Sequence, residues 1–377
     1  MSMQRKSRGG FGPLVWPVVL AVLALAAAAC SGGGGTTPSS GGSQSPGGSP
    51  GGSAGSGTPA SSAVGSSPSG GAPTKLAVGL GYIPSVQFAQ FYRAQQAGYY
   101  RDAGLDVSFQ NKIDPQLITL VGQGAIDIGI ADGTSVIPAV SQGIPVRYVA
   151  TVYAKFPNIV FAKASSGITK PADLKGKRVG TPGTFGSSWI MLQALLSKAN
   201  LTTSDITVQT YPDFTQAAAV AKGQADAATG FVNNEPIQLK QQGIDTSILR
   251  VDDVVPLPGN GLIVGTKTLA EKHDALAAFV AATLKAQDEI AANPSVGLDA
   301  AIAAVPELGT DRATQEAILA ATIDTWSSPY TQAHGSGAID TAAWTASIRF
   351  MQSLPGGLVP NPVTADQIVT SELLPAR

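Results

Sequence analysis

Gln116-Leu117-Ile118-Thr119-Leu120-Val121-Gly122-Gln123-Gly124-Ala125-Ile126-Asp127-Ile128-Gly129-Ile130-Ala131-Asp132-Gly133-Thr134-Ser135 decides the fold. Its first seven residues read as a helix closed by Gly122, and Ile126–Ala131 as a short buried strand. The chain then turns through Asp132-Gly133-Thr134-Ser135 into another helix over 135–142. Helix, strand and helix within thirty residues is the rhythm of a parallel α/β sheet.

Working outward, the same alternation appears on both sides. Lys75–Leu80 reads as a strand, Val86–Gly98 as a helix, and Asp106–Gln110, Val146–Tyr153 and Ile159–Ala162 as further strands. A second unit follows, with strands at Arg178–Thr181, Ile206–Thr210, Ala225–Phe231 and Ile248–Arg250. Helices at Ser188–Ala199, Thr215–Lys222 and Glu235–Gln242 separate them, and Gly261–Thr266 reads as a strand returning to the first unit. Beyond it helices are expected near Ala270–Ala292, Thr314–Ser327 and Ala342–Gln352. The body of about 300 residues exceeds what one core usually supports. Two α/β lobes are therefore expected, one of residues 75–161 with 261–377 and the other of 162–260. Their cleft should collect the carboxyl ends of the strands, where α/β sheets bind ligands.

The opening is of a different kind. Arg5, Lys6 and Arg8 precede an uncharged run from Leu14 to Ala29, which ends at Ala27-Ala28-Ala29-Cys30. This is the layout of a secretory signal over 1–29, with cleavage before Cys30 and a lipid on its sulfur. Ala27 stands where such boxes usually carry Leu. Pro17 interrupts a run too short to span a membrane comfortably. Residues 30–74 are almost wholly Gly, Ser, Pro, Thr and Ala, the composition of a flexible tether. Within it Gly51-Gly52-Ser53-Ala54-Gly55 matches a nucleophile-elbow pattern that needs a strand-turn-helix to mean anything. Three of the 24 basic residues precede residue 75 and none of the 25 acidic ones does, leaving the body a net charge of about −4. Nucleic acid is accordingly not expected as a partner. Cys30 is the chain's single cysteine, so the body has neither a disulfide framework nor a thiolate zinc site.

Six motifs in order carry a resemblance to a known family. They are Gly81-Tyr82-Ile83-Pro84, the run Phe91 to Val107 containing Ala97-Gly98-Tyr99-Tyr100, Leu120 to Gly129, Gln142-Gly143-Ile144-Pro145-Val146, Asp173-Leu174-Lys175-Gly176-Lys177-Arg178-Val179-Gly180, and Gly223-Gln224-Ala225-Asp226-Ala227. Over about 280 residues the chain resembles solute-binding proteins of ABC importers, in the group of alkanesulfonate, nitrate and thiamine-pyrimidine-precursor receptors. The resemblance implies a type II periplasmic-binding-protein fold, a permease with a separate ATPase as partner, and a monomer on the outer face of the cytoplasmic membrane or in the periplasm. Gly81 to Ala89 and Asn233-Asn234-Glu235-Pro236 are similar to the branch that takes flat heteroaromatic nutrients, riboflavin first and hydroxymethylpyrimidine-type precursors second. Alkanesulfonate or taurine comes third.

A flat heterocycle needs aromatic faces and a few fixed hydrogen-bonding groups. Tyr82, Phe88, Tyr153, Phe156, Phe185, Trp189 and Phe214 fall at strand-to-helix junctions and are candidates, with Phe231 beside them. Phe91, Tyr92, Phe109, Phe161 and Phe279 are assigned to the core. Asp132 could accept bonds from ring N–H groups, while Thr134 or Ser135 could simply cap a helix. Gly186 and Ser187 open a helix whose free N–H groups suit an anion or a carbonyl. Asn234 and Glu235 offer an amide beside a carboxylate, and Asn158 and Asn260 lie near the lobe crossings, expected close to Phe161 and Gly261.

The rival class is an enzyme, since fungal relatives of the pyrimidine receptors resemble the same fold and make the pyrimidine with a histidine and a cysteine-rich motif. Here only His273 and His334 are present, neither at metal or triad spacing, so no catalytic residue, metal or cofactor is expected. Pro84 also stands in place of the third glycine of a dinucleotide fingerprint after Gly79 and Gly81. A structural or adhesive surface lipoprotein would not need the double α/β pattern.

Overall fold

The computed structural model describes residues 72–113, 115–251, 257–354 and 356–376. The signal segment, Cys30, the tether up to residue 71 and the Gly51–Gly55 pattern lie outside the described residues.

Among the described residues, ten strands form two five-stranded sheets. They are β1 (Thr74–Leu80), β2 (Leu105–Asn111), β3 (Ile128–Asp132), β4 (Val146–Thr151), β5 (Asn158–Lys163), β6 (Arg178–Thr181), β7 (Thr207–Thr210), β8 (Ala227–Phe231), β9 (Thr246–Arg250) and β10 (Asn260–Gly265). The first sheet has the order β2-β1-β3-β10-β4 and the second β7-β6-β8-β5-β9. In each, the fourth strand is reversed: β10 runs antiparallel to β3 and β4, and β5 antiparallel to β8 and β9. The reversed strands are those that follow the two crossings between lobes. They therefore start at the edge where the parallel strands end, so Asn260 pairs with Asp132 and Asn158 with Phe231.

This pairing moves the expected boundaries. Phe161 lies mid-strand against Ala228 and Ile248 of the second sheet, and Gly261 lies between Ala131 and Thr151 of the first. Both are held in sheet ladders and cannot serve as crossings. The chain crosses instead over residues 152–157 and 251–259, of which 252–256 lie outside the described residues. The crossings run close together, since a Cβ on Gly259 would meet the Tyr153 carbonyl oxygen at 2.1 Å.

Apolar spacing places the helices over these sheets. The helix His273–Ala292 buries Leu276, Phe279, Val280, Leu284 and Ile290 in the first lobe. Phe279 stacks on Tyr100 at 4.9 Å with the planes 4° apart, and the Tyr100 hydroxyl pairs with Thr283 at 2.8 Å. Phe91, Phe161 and Phe279 are fully buried, Tyr92 is buried, and Phe109 is half-buried against the same first-lobe core as Phe91. The helix expected over 270–292 is two, Thr266–Glu271 and His273–Ala292, because Lys272 leaves helical geometry at φ −124°. Short helices at Tyr99–Asp102, Pro294–Ala304, Pro329–His334 and Ala365–Ile368 escape the periodicity reading, being mostly too brief to show a repeat. The C-terminal region is not confined to the first lobe. Helix Thr341–Ser353 packs Trp344, Ile348 and Met351 on the first lobe, and Leu354 just beyond it enters the second lobe's core.

Candidate functional site

The cleft between the lobes holds about 890 Å³ of empty space, counting its open mouth. Ten of the fourteen expected ligand residues line it: Tyr82, Phe88, Asp132, Tyr153, Phe185, Gly186, Ser187, Phe214, Asn234 and Glu235. They arrive from the ends of β1, β3, β6, β7 and β8 and from the first crossing, as strand carboxyl ends in two facing sheets dictate.

The aromatic walls come from both lobes. Tyr82, half-buried after β1, meets Phe214 of the second lobe edge-to-face at 4.8 Å. Phe214 is held at φ +59°, a region that costs a bulky side chain about 1 kcal/mol or more. Among the described residues only Asn200 is the other non-glycine at positive φ, so Phe214 is placed at some expense where it faces Tyr82. Phe185 is exposed at the mouth, beside Ile113.

The polar floor is rich in acceptors. Glu235 opens the helix Glu235–Gln241 and is buried, its Oε2 accepting the Phe231 N–H at 2.8 Å and its Oε1 the Gln216 amide at 3.3 Å. Burial pushes its carboxyl up to about 7, against the lowering effect of the backbone bonds. Gly230 makes room for this: a Cβ there would come within 2.7 Å of Glu235 Oε2 and 2.8 Å of the Phe161 ring. Asp132 ends β3 in the other lobe, and its carboxylate accepts a bond from the Ser187 hydroxyl across the cleft. Burial pushes Asp132 up to about 6, with the Ser187 and Asn260 side chains opposing by hydrogen bonding. The oxygens Gln216 Oε1 and Asn260 Oδ1 are buried without a hydrogen-bond partner. Such orphaned acceptors cost about 1–3 kcal/mol each until a donor fills them. Burial and the nearby Glu235 also raise the Tyr82 hydroxyl, keeping it a neutral donor.

A second set of bonds ties the lobes beneath the cleft. Asn233, fully buried after β8, donates to Gln87 at 3.1 Å and to Thr322 at 2.8 Å, both in the first lobe. Burial raises the Tyr153 hydroxyl, and the same Asn233 and Thr322 side chains oppose that rise.

Four expected residues lie off the wall. Thr134 is fully buried inside the first turn of helix Gly133–Ser141. Phe156 belongs to the second lobe's core, because the crossing carries it past the cleft. Asn158 is fully buried at the start of β5, behind Phe231. Trp189 packs on the second lobe's core, two residues along a helix from Ser187 and thus turned well away from it. Gln87, Ile113, Gln216 and Ser188 line the cleft without having been expected there. Gln87 sits inside the Gly81–Ala89 motif and was findable beside Phe88, whereas Gln216 comes to the cleft beside Glu235, to which its amide donates. Neither histidine lines the cleft: His334 stacks on Tyr330 at 4.1 Å and His273 pairs with Asp274. Among the described residues no group of three His, Cys, Asp or Glu is placed to hold a metal ion, and no helix is long and apolar enough to cross a membrane.

Known proteins match this architecture. The chain is similar to the alkanesulfonate-binding protein SsuA from Xanthomonas axonopodis pv. citri bound to MOPS, with TM-score 0.60 and 18% identity over 81% of this chain and 99% of that one. The fold is the type II periplasmic-binding-protein fold. Riboflavin-binding protein RibY from Chloroflexus aurantiacus is 34% identical over 307 residues, 80% of this chain and 86% of its own length. Formylaminopyrimidine-binding protein from Halalkalibacterium halodurans is 31% identical, over 58% of this chain and 67% of its own. The pyrimidine phosphate synthase THI5 from Saccharomyces cerevisiae is 27% identical, over 62% and 72%. Residues 85–296, more than half of the chain and both sides of the cleft, match the family model described as NMT1/THI5 like. With two reversed-strand sheets, a shared cleft and these matches together, the chain belongs to the NMT1/THI5-like family.

Proposed function

We propose that the chain is an extracytoplasmic solute-binding receptor of an ABC importer, and that it captures a flat heteroaromatic nutrient, riboflavin first, between its lobes. One observation carries the reading: an acceptor-lined floor (Glu235, Gln216 Oε1, Asn260 Oδ1) lies between aromatic side chains from both lobes. Ring N–H donors would satisfy those oxygens while the ring packs against the aromatic wall formed by Tyr82, Phe88 and Phe214. The 34% identity to a riboflavin-binding protein supports the same choice. A ligand touching both lobes favours the closed arrangement by its differential affinity, and a permease would read that surface. Lipidation at Cys30, with residues 31–74 as tether, would hold the receptor near its permease.

A pyrimidine precursor of thiamine is the second reading, favoured by the formylaminopyrimidine-binding relative. Catalysis as in the synthase relatives finds less support, since among the described residues no His or Cys lines the cleft. The test is to denature purified protein, scan the supernatant for flavin, and measure melting shifts with riboflavin and with hydroxymethylpyrimidine. A riboflavin shift is expected. A colourless protein indifferent to riboflavin overturns the first choice, and a shift with the pyrimidine alone moves the reading to the second.

A further inference from the structure

Asp132 stands at the start of a helix, Gly133–Ser141, yet its side chain makes no capping bond there. It turns instead toward the opposite lobe, where Ser187, the second residue of helix Gly186–Lys198, donates its hydroxyl to the carboxylate. That thirteen-residue helix has no side-chain cap from Phe185, and its first three residues all line the cleft. A helix start of this kind draws negative charge through its unpaired N–H groups and dipole. The negative charge it meets is already part of the protein. Around it, the described residues of the cleft wall include Asp132 and Glu235 and no Lys, Arg or His. Nothing there would repay the desolvation of an incoming anion.

We propose that Asp132 is the cleft's resident anion, filling from one lobe the helix N-terminus of the other and so determining specificity: uncharged nutrients enter, and their phosphate esters and sulfonates are refused. The inference rests on the cleft being the ligand site, but not on which heterocycle it takes. It also separates this cleft from that of its sulfonate-bound structural neighbour, which shares the fold.

The test pairs a neutral ligand with its charged counterpart. At about pH 8, FMN should bind at least about 100-fold more weakly than riboflavin, and MOPS should leave the melting temperature unchanged, because like charges brought together in a closed site cost that much or more. Asp132→Asn keeps an oxygen to accept the Ser187 bond and removes the charge. In that variant the FMN penalty should shrink to about 10-fold or less, and MOPS or sulfate should now raise the melting temperature. Glu235→Gln, which leaves residue 132 charged, should still refuse MOPS. Wild-type protein stabilised by MOPS, or binding FMN as tightly as riboflavin, overturns the proposal. So does a folded Asp132→Asn that refuses MOPS and sulfate as the wild type does. Should neither flavin bind, the ligand choice fails, while the MOPS arm with wild type and variant still decides the role of Asp132. If Asp132→Asn does not fold, Asp132→Ser supplies the uncharged arm.

Discussion

Replacing Glu235 by glutamine should stabilise this protein at alkaline pH and do almost nothing at acid pH. The carboxyl moves from 4.5 to about 7 on burial. At about 1.4 kcal/mol per pKa unit, holding the charge inside the folded protein costs about 3 kcal/mol. Glutamine keeps an oxygen for the Phe231 N–H, and the charge-assisted strength it forgoes is already included in that net shift. A gain of about 3 kcal/mol is therefore expected, or about 6–12 °C in melting temperature. The sign follows from linkage. The folded form holds this proton more tightly than the unfolded chain, so the penalty is absent below 4.5, grows between 4.5 and about 7, and is complete above. Asp132 adds a slope of the same sign between 3.8 and about 6, but it is common to both proteins and cancels in their difference. Thermal melts of wild type and Glu235→Gln from pH 4 to pH 8 should diverge steadily across that window. A constant offset at every pH, or a variant less stable than wild type at pH 8, would refute the reasoning, because either would mean that Glu235 pays no burial penalty as an anion.

Two further outcomes follow from the geometry. Asn233→Ala removes the donor that reaches Gln87 and Thr322, bonds that exist only while the lobes are together; a loss of about 1–3 kcal/mol is expected. Small-angle scattering of the ligand-free variant should show a larger radius of gyration than wild type, and an unchanged curve would remove Asn233 from lobe closure. Gly230→Ala sets a Cβ within 2.7 Å of Glu235 Oε2 and 2.8 Å of Phe161, so about 1–3 kcal/mol of overpacking is expected. The same change in Glu235→Ala should cost less, as a double-mutant cycle in urea would reveal, because the oxygen is gone and Phe161 alone remains to yield.

Much of the strand and helix order was legible because it is written locally. Gln116–Gly122 is a helix at the bounds its own spacing predicts, and strand β6 likewise, since short runs bounded by glycine and lysine carry their own start and stop. The cleft positions of Tyr82, Asp132 and Glu235 were legible at one remove, from the rule that ligands gather where parallel strands end. Trp189 was misplaced because its helix phase relative to the cleft depends on how that helix docks, and Phe156 because β5 joins the second sheet and not the first.

From sequence alone came the two α/β units, the aromatic and carboxylate residues at their junctions, and the body's lack of cysteine, all properties of neighbouring residues or of composition. Only the tertiary structure decided that β5 and β10 run reversed, that Leu354 returns to the second lobe, that Gln216 stands beside Glu235, and that Asp132 meets Ser187. Those pairings join residues tens to hundreds of positions apart. No local pattern encodes them, because their energy exists only once two separately folded surfaces have come together.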